Sequence, residues 1–364
     1  MEKKTKILIA DDSALMRRSL RKMLEDRGFD VAGTARDGED VLVKAEQLKP
    51  DVITLDINMP RMDGITALRK LLKKNIAPII MVSSLTQSGA NTTIKALELG
   101  AFDCVGKPGG TVSADMSSVA LDLERKIREA AASGILDRLR MERRKTTRVT
   151  VSKPSLKKDD KKGKIEKSET RFVRSSTFKA IAIGISTGGP KTIFDVLPNI
   201  PPNINAAIFM VQHMPPNFTA QFAARIDRSC KLKCEEVKGG TIVKPGVIYL
   251  GKGGYHLNLI KKASGDVVIR TPTRPPHLFV PSVDIMMNSV FNVYGKSTIG
   301  VLMTGMGDDG ANAMVNIKKG GGKTIAESRE SAIVWGMPGE AYNRGGVDLL
   351  KPSWEIADAI LSFL

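Results

Sequence analysis

A chain of 364 residues, 42% of them hydrophobic, has room for two cores, since one domain commonly takes roughly 100 to 200 residues. Three cysteines (Cys104, Cys230, Cys234) and three histidines exclude a disulfide framework and leave little for a zinc-type site. No apolar run approaches the roughly 18 residues that span a bilayer, so the expectation is a soluble, cytoplasmic protein without direct membrane insertion. The net charge of +17 is mostly local: residues 138–179 hold 16 Lys or Arg against 5 Asp or Glu. With a single aromatic before Phe178 and few apolar residues, that stretch reads as a solvated, self-repelling linker, not a nucleic-acid surface.

Ahead of the linker, apolar runs at residues 7–10, 31–35, 52–55, 78–82 and 104–105 alternate with amphipathic segments, which predicts a doubly wound parallel sheet. Ligands of such sheets bind beyond the carboxyl ends of the strands. The residues there are Asp11 and Asp12, Asp56, Ser83 and Ser84, and Lys107. Crowded carboxylates suit a hard cation such as Mg²⁺, with Asp56 as a carboxylate nucleophile toward phosphorus and Lys107 and Ser83 binding the peripheral oxygens.

Asp11-Asp12, Leu55-Asp56, Met59-Pro60, Asp63-Gly64 and Lys107-Pro108 together resemble the signature of two-component receiver domains, over about residues 5–130. The resemblance implies that Asp56 is the phosphoacceptor, that Asp11, Asp12 and Asp56 with the Asn58 carbonyl hold Mg²⁺, and that Ser83 and Lys107 sense the phosphoryl group. Where receivers usually carry an inward-turning aromatic, this chain has Cys104. Helical spacing through Val119, Leu123 and Ile127, and then Ile135, Leu136 and Leu139, predicts a helix over 116–140 running toward the linker.

After the linker, Ala180–Pro190 reads AIAIGISTGGP: a buried strand broken by glycines before a helix, with Ser186 inside G-x-S-x-G. A tight strand-to-helix turn of this kind exposes a nucleophilic hydroxyl, which needs a base, and the base an orienting acid. Of the three histidines, His213 follows the apolar run 206–211 and reaches the same rim, whereas His256 opens a strand and His277 lies in a proline-rich loop. The corner TGMGDDG after residues 298–303 offers Asp308 or Asp309 as the acid, and outward amides for an oxyanion. Residues 218–226 and 283–293 read as helices, and residues 246–270 as a hairpin-like excursion from a second, mainly parallel sheet. Cys230 and Cys234 read as a packed thiol and a strand residue.

IGISTGGP at 183–190, Gln212-His213-Met214, Tyr255-His256-Leu257, Pro281-Ser282-Val283-Asp284 and TGMGDDG at 304–310 resemble the chemotaxis protein-glutamate methylesterases across nearly the whole chain except the linker. That resemblance implies a Ser186, His213, Asp309 triad, with Thr187 and Met306 at the oxyanion site and no cofactor for the ester chemistry. It further implies methyl-accepting chemotaxis receptors as substrates, glutamine deamidation at the same sites, a chemotaxis histidine kinase as phosphodonor, and a receiver that obstructs the active site until phosphorylated. The expected division is a receiver over 1–130, a helical extension and basic linker over 131–178, and an α/β hydrolase domain over 179–364. The competing readings are a receptor-binding module without catalysis and a receiver joined to a DNA-binding output.

Overall fold

The computed structural model describes residues 4–83, 87–107, 113–132 and 178–364; the basic linker and residues 133–140 of the expected helical extension lie outside them. The first sheet is β1 (Lys6–Ala10), β2 (Asp30–Ala35), β3 (Val52–Asp56), β4 (Ile79–Ser83) and β5 (Asp103–Gly106), all parallel in the order β2-β1-β3-β4-β5. Helices α1 (Ala14–Glu25), α2 (Gly38–Leu48), α3 (Gly64–Lys74), α4 (Gln87–Leu99) and α5 (Ser113–Ala132) follow the strands in turn. Their starts are written in the chain. Ser13, Asp37 and Asp63 cap α1, α2 and α3 by accepting main-chain N–H groups of the first turn, which satisfies donors that the helix leaves unpaired. Strand order reverses at β1 and β3, so Asp11 and Asp56 share the crevice where such folds bind ligands.

The second sheet contains β6 (Lys179–Ile185), β7 (Ala206–Gln212), β8 (Lys233–Glu236), β9 (Val247–Leu250), β12 (Thr298–Leu302), β13 (Lys323–Glu327) and β14 (Leu349–Lys351). Its order is β14-β13-β12-β6-β7-β9-β8, with every neighbouring pair parallel. A separate antiparallel pair, β10 (Asn258–Lys261) and β11 (Val267–Arg270), stands outside it. This corrects the expected excursion: Val247–Leu250 is an inner strand of the main sheet, and only residues 258–270 form a hairpin. Strands β8, β13 and β14 carry little apolar signal. Lys233–Glu236 reads KCEE and buries only Cys234, so its pairing comes from the neighbouring strand, not from its own pattern. Buried Cys230 ends the helix Pro216–Ser229.

The chain crosses over at β6, whose neighbours are β7 and β12; the corner after β6 is the switch point of this sheet. The first domain docks beside it. Helix α4 packs on the helices Gly189–Thr192 and Pro216–Ser229, and one apolar cluster takes in Ala90, Ile94 and Leu97 together with Ile193, Met214 and Phe222. At the rim the Arg225 guanidinium meets the Glu98 carboxylate through two hydrogen bonds of 2.6 and 3.2 Å. Among the described residues no helix is long and apolar enough to cross a membrane.

Candidate active site and phosphoacceptor site

Ser186 begins where β6 stops. Its N–H donates to the Thr304 carbonyl at 2.9 Å, the Gln212 amide holds its carbonyl at 2.9 Å, and Gly188 turns the chain at φ +82°. Space around it is tight. A Cβ on Gly184 would lie 2.2 Å from Val283 Cγ1, and one on Gly305 would lie 2.7 Å from the Ser186 Cβ, so glycine is what lets these segments meet.

Register brings the expected base to the expected nucleophile. Ile185 pairs with Gln212 across β6 and β7, so His213 stands beside Ser186, its Nδ1 3.1 Å from Ser186 Oγ. His213 Nε2 lies 2.8 Å from Asp309 Oδ2. A carboxylate only accepts, so Nε2 carries the ring proton and Nδ1 is left to accept from the serine hydroxyl. Asp309 is itself held by four donors: His213, the Ser282 hydroxyl (2.8 Å) and the N–H groups of Val283 (2.7 Å) and Asp284 (2.9 Å). The last two open the helix Val283–Tyr294, whose positive end favours an anion. Burial alone would raise this carboxyl, but the His213 hydrogen bond and charge with these amides hold it down to about 2. Asp308 is turned away, its exposed side chain 2.6 Å from Arg344. The Phe279 ring stacks on His213 with centroids 4.0 Å apart.

Thr187 follows Ser186, and its carbonyl accepts from the Thr304 hydroxyl at 2.8 Å. Met306 follows Gly305, the residue that packs against Ser186. Groups of the first domain lie over this corner. The Thr187 hydroxyl is 2.6 Å from Asp103 Oδ2 and 3.2 Å from Glu129 Oε2. The gap left between Ser186, Thr187, His213 and the receiver's Leu97 and Cys104 is about 10 Å³, room for at most one water. Ser186 is 3% exposed. Around the gap, Lys126 reaches Asp103 and Asp122 at 3.1 Å each. Arg125 reaches Asp122 and Glu129 at 2.6 Å each, and lies 5.0 Å over the Phe279 ring. Burial pushes the Cys104 thiol up to about 12, so it is an inert packed group.

At the crevice of the first sheet, carboxylate oxygens of Asp11, Asp12 and Asp56 lie within 4.8 Å of one another. Lys107 Nζ is 2.8 Å from both Asp11 Oδ2 and Asp56 Oδ2. Burial and the neighbouring Asp11 raise the Asp56 carboxyl despite Lys107. Asp11 Oδ2 and Asp56 Oδ2 are buried and share the one Lys107 ammonium. Buried oxygens in that condition fit an added divalent cation, and the donor set is all oxygen, as Mg²⁺ requires. Ser83 is buried at the end of β4, its carbonyl accepting from Lys107 N–H at 2.7 Å, and Asn58 lies exposed after β3.

Comparison with known proteins identifies both halves of the chain. Residues 7–113 match the response regulator receiver domain model and residues 181–360 the CheB methylesterase model. A protein-glutamate methylesterase/protein-glutamine glutaminase of Syntrophomonas wolfei is 54% identical over 98% of both chains. The chain belongs to this family. A relative of the same description from Caldanaerobacter subterraneus is 44% identical over 99% of this chain and 97% of its own. The solved CheB methylesterase catalytic domain of Thermotoga maritima superposes with a TM-score of 0.51 and 35% identity, covering 52% of this chain and all of that one. The DNA-binding and non-catalytic readings are not favoured. Within this methylesterase family fold, the groups that sequence reading left unremarked are those of the domain interface: Asp103, Arg125, Lys126, Glu129 and Phe279. No motif marks them, because their roles come from packing: Asp103 and Glu129 meet Thr187 and Arg125 meets Phe279 across the interface, and Lys126 holds Asp103.

Proposed function

We propose that this protein is a phosphorylation-controlled serine hydrolase of methyl-accepting chemotaxis receptors, acting in the cytoplasm, with Ser186, His213 and Asp309 as its catalytic residues. Ser186 Oγ attacks the carbonyl of a glutamyl methyl ester while His213 Nδ1 takes its proton. Asp309 keeps the ring proton on Nε2 and stabilises the imidazolium. Main-chain N–H groups near Thr187 and Met306 receive the oxyanion. His213 then returns the proton to the leaving methoxide, releasing methanol. Water, deprotonated by His213, cleaves the acyl-enzyme to give glutamate. A glutamine side chain follows the same course with ammonia as the leaving group. The observation that carries this reading is the contact pair at Ser186 and Asp309, 3.1 and 2.8 Å from the two nitrogens of one imidazole.

Residues 1–130 act as the receiver, 131–178 as a helical extension and linker, and 179–364 as the catalytic domain. Asp56 accepts a phosphoryl group from a chemotaxis histidine kinase. Asp11, Asp12, Asp56 and the Asn58 carbonyl would hold Mg²⁺, which neutralises charge on the transferring group. Ser83 and Lys107 bind the phosphoryl oxygens. Support for control by obstruction is the receiver cover itself: the gap between it and Ser186 is about 10 Å³, and Ser186 is 3% exposed. Methanol release from methylated receptor membranes, with and without a small phosphodonor and Mg²⁺, tests the reading. The wild type responds and Ser186→Ala releases none; activity surviving in Ser186→Ala would overturn it.

A further inference from the structure

His256 is a fully buried polar side chain of the second domain that touches neither Ser186 nor His213. Both ring nitrogens are used, in opposite senses. Nε2 lies 2.9 Å from the Pro275 carbonyl, an acceptor, so Nε2 carries the proton. The Ser282 N–H donates to Nδ1 at 3.2 Å, so Nδ1 is bare. Only the neutral ring in this one tautomer satisfies both partners. Its main chain is tied to the same loop, with His256 N–H donating to the Pro272 carbonyl at 2.7 Å.

What His256 holds leads directly to the triad. Ser282, fixed through its N–H, donates its hydroxyl to Asp309 Oδ1 at 2.8 Å and caps the helix whose next two N–H groups bind the same carboxylate. The loop between Pro275 and Ser282 carries Phe279, stacked on the His213 ring. A single imidazole therefore grips both ends of the segment that orients the acid from one side and the base from the other. We propose that His256 is a positioning residue for the esterase: its Nδ1 acceptor fixes Ser282, and through it the Asp309 carboxylate, in the geometry that keeps the His213 proton on Nε2. The proposal rests on the triad reading above.

The test uses the full-length protein, labelled with ¹⁵N-histidine, its three imidazoles assigned by single His substitutions. In the wild type, long-range ¹⁵N–¹H spectra should show His256 protonated on Nε2 and bare on Nδ1; a proton on Nδ1 overturns the proposal outright. His256→Leu removes both contacts, and the phosphodonor-activated kcat should fall by about 10- to 100-fold with KM changed less than about threefold, as for a misplaced catalytic group. Its His213 signals should also lose the single-tautomer pattern. His256→Asn can restore an acceptor for Ser282 N–H and should recover to within about threefold of wild-type kcat, whereas His256→Gln, which reaches toward Pro275, should not. Leu, Asn and Gln variants that melt like the wild type and are equally impaired would reduce His256 to packing and sink the proposal, as would His256→Leu with unchanged kcat. If His256→Leu does not fold, the wild-type spectrum and the Asn and Gln pair decide. Ser186→Ala is the control that separates the readings: activity there would refute the triad, while the His256 spectrum still reports on its own hydrogen bonds.

Discussion

Asp308 and Asp309 are neighbours with opposite surroundings, and substitution should separate them. Asp309→Asn leaves an amide that can offer its N–H to His213, so the ring is held in the wrong tautomer; a loss of about 10³- to 10⁴-fold in kcat is expected, as for other triad acids. Asp308→Asn disturbs only a solvent-facing pair with Arg344 and should change activity and stability little. Methanol-release kinetics on the two variants check this, and the reverse order of damage would remove Asp309 as the acid. Glu129 gives a pH prediction. The Thr187 hydroxyl has one proton and Asp103 is the nearer acceptor, so the Glu129 contact is satisfied when Glu129 brings its own. Burial raises this carboxyl from 4.5 to about 7, against Arg125 and Lys126. A raised acid favours the docked receiver at low pH, where Glu129 is protonated in either state, and that contribution is lost as pH climbs through about 7. The activity of unphosphorylated full-length protein, divided by that of the free catalytic domain at each pH, should therefore rise across that window. Glu129→Gln should flatten the ratio; an unchanged slope would show that Glu129 does not couple docking to protons.

Strand β6 and the helix Val283–Tyr294 meet through Gly184, and the elbow depends on that closeness. Gly184→Ala would push a methyl into Val283 Cγ1, a stiff β-branched side chain 2.2 Å from the added atom. Overpacking of this kind costs about 1–3 kcal/mol, and because Ser186 lies two residues on, kcat should fall along with the melting temperature. Thermal unfolding and kinetics on one sample check it. A variant as stable as the wild type would show that the helix can yield. Strand β5 matters for a different reason. It begins at Asp103, on the Thr187 hydroxyl, and runs to Gly106, next to Lys107 on Asp56. One short element thus carries a contact to each site, with Cys104 packed between them instead of a swinging aromatic. A phosphoryl group on Asp56 adds charge and acceptor oxygens that compete for Lys107, and β5 is the shortest covalent route from that change to the cover over Ser186.

For the molecule as a whole, the prediction is that the receiver acts as a cover that phosphorylation loosens. Deleting residues 1 to about 170 should raise basal methanol release, since the catalytic domain of a relative has been solved by itself and the uncovered rim needs no signal. Asp56→Asn should stay at the basal rate when phosphodonor and Mg²⁺ are added. A truncated form no faster than the unphosphorylated full-length protein would sink the obstruction model. The Lys-rich segment is expected to contribute little to either state: replacing Lys157, Lys158, Lys161 and Lys162 with Gln should leave melting and turnover nearly unchanged, because a sequence so rich in charge and poor in apolar residues has little to bury.

Local chemistry made much of this protein legible before any coordinates. Period-two and period-3.6 apolar patterns mark the strands and helices of both sheets, and turn glycines mark the corner at Ser186, because these signals depend on neighbours along the chain. Strands such as Lys233–Glu236 and Leu349–Lys351 escaped because their places are set by partners far away in sequence. Spacing left Asp308 and Asp309 equivalent, and family resemblance chose between them. Their different surroundings come from the helix Val283–Tyr294 and from Arg344, which fold back from elsewhere. That a receiver covers the site was an expectation of the family resemblance; which residues make the cover, the Asp103 and Glu129 contacts to Thr187 among them, and the His256 grip on Ser282 are decided by tertiary structure alone. Each joins ordinary residues that have no reason to be noticed until packing removes them from water and makes every unpaired proton costly.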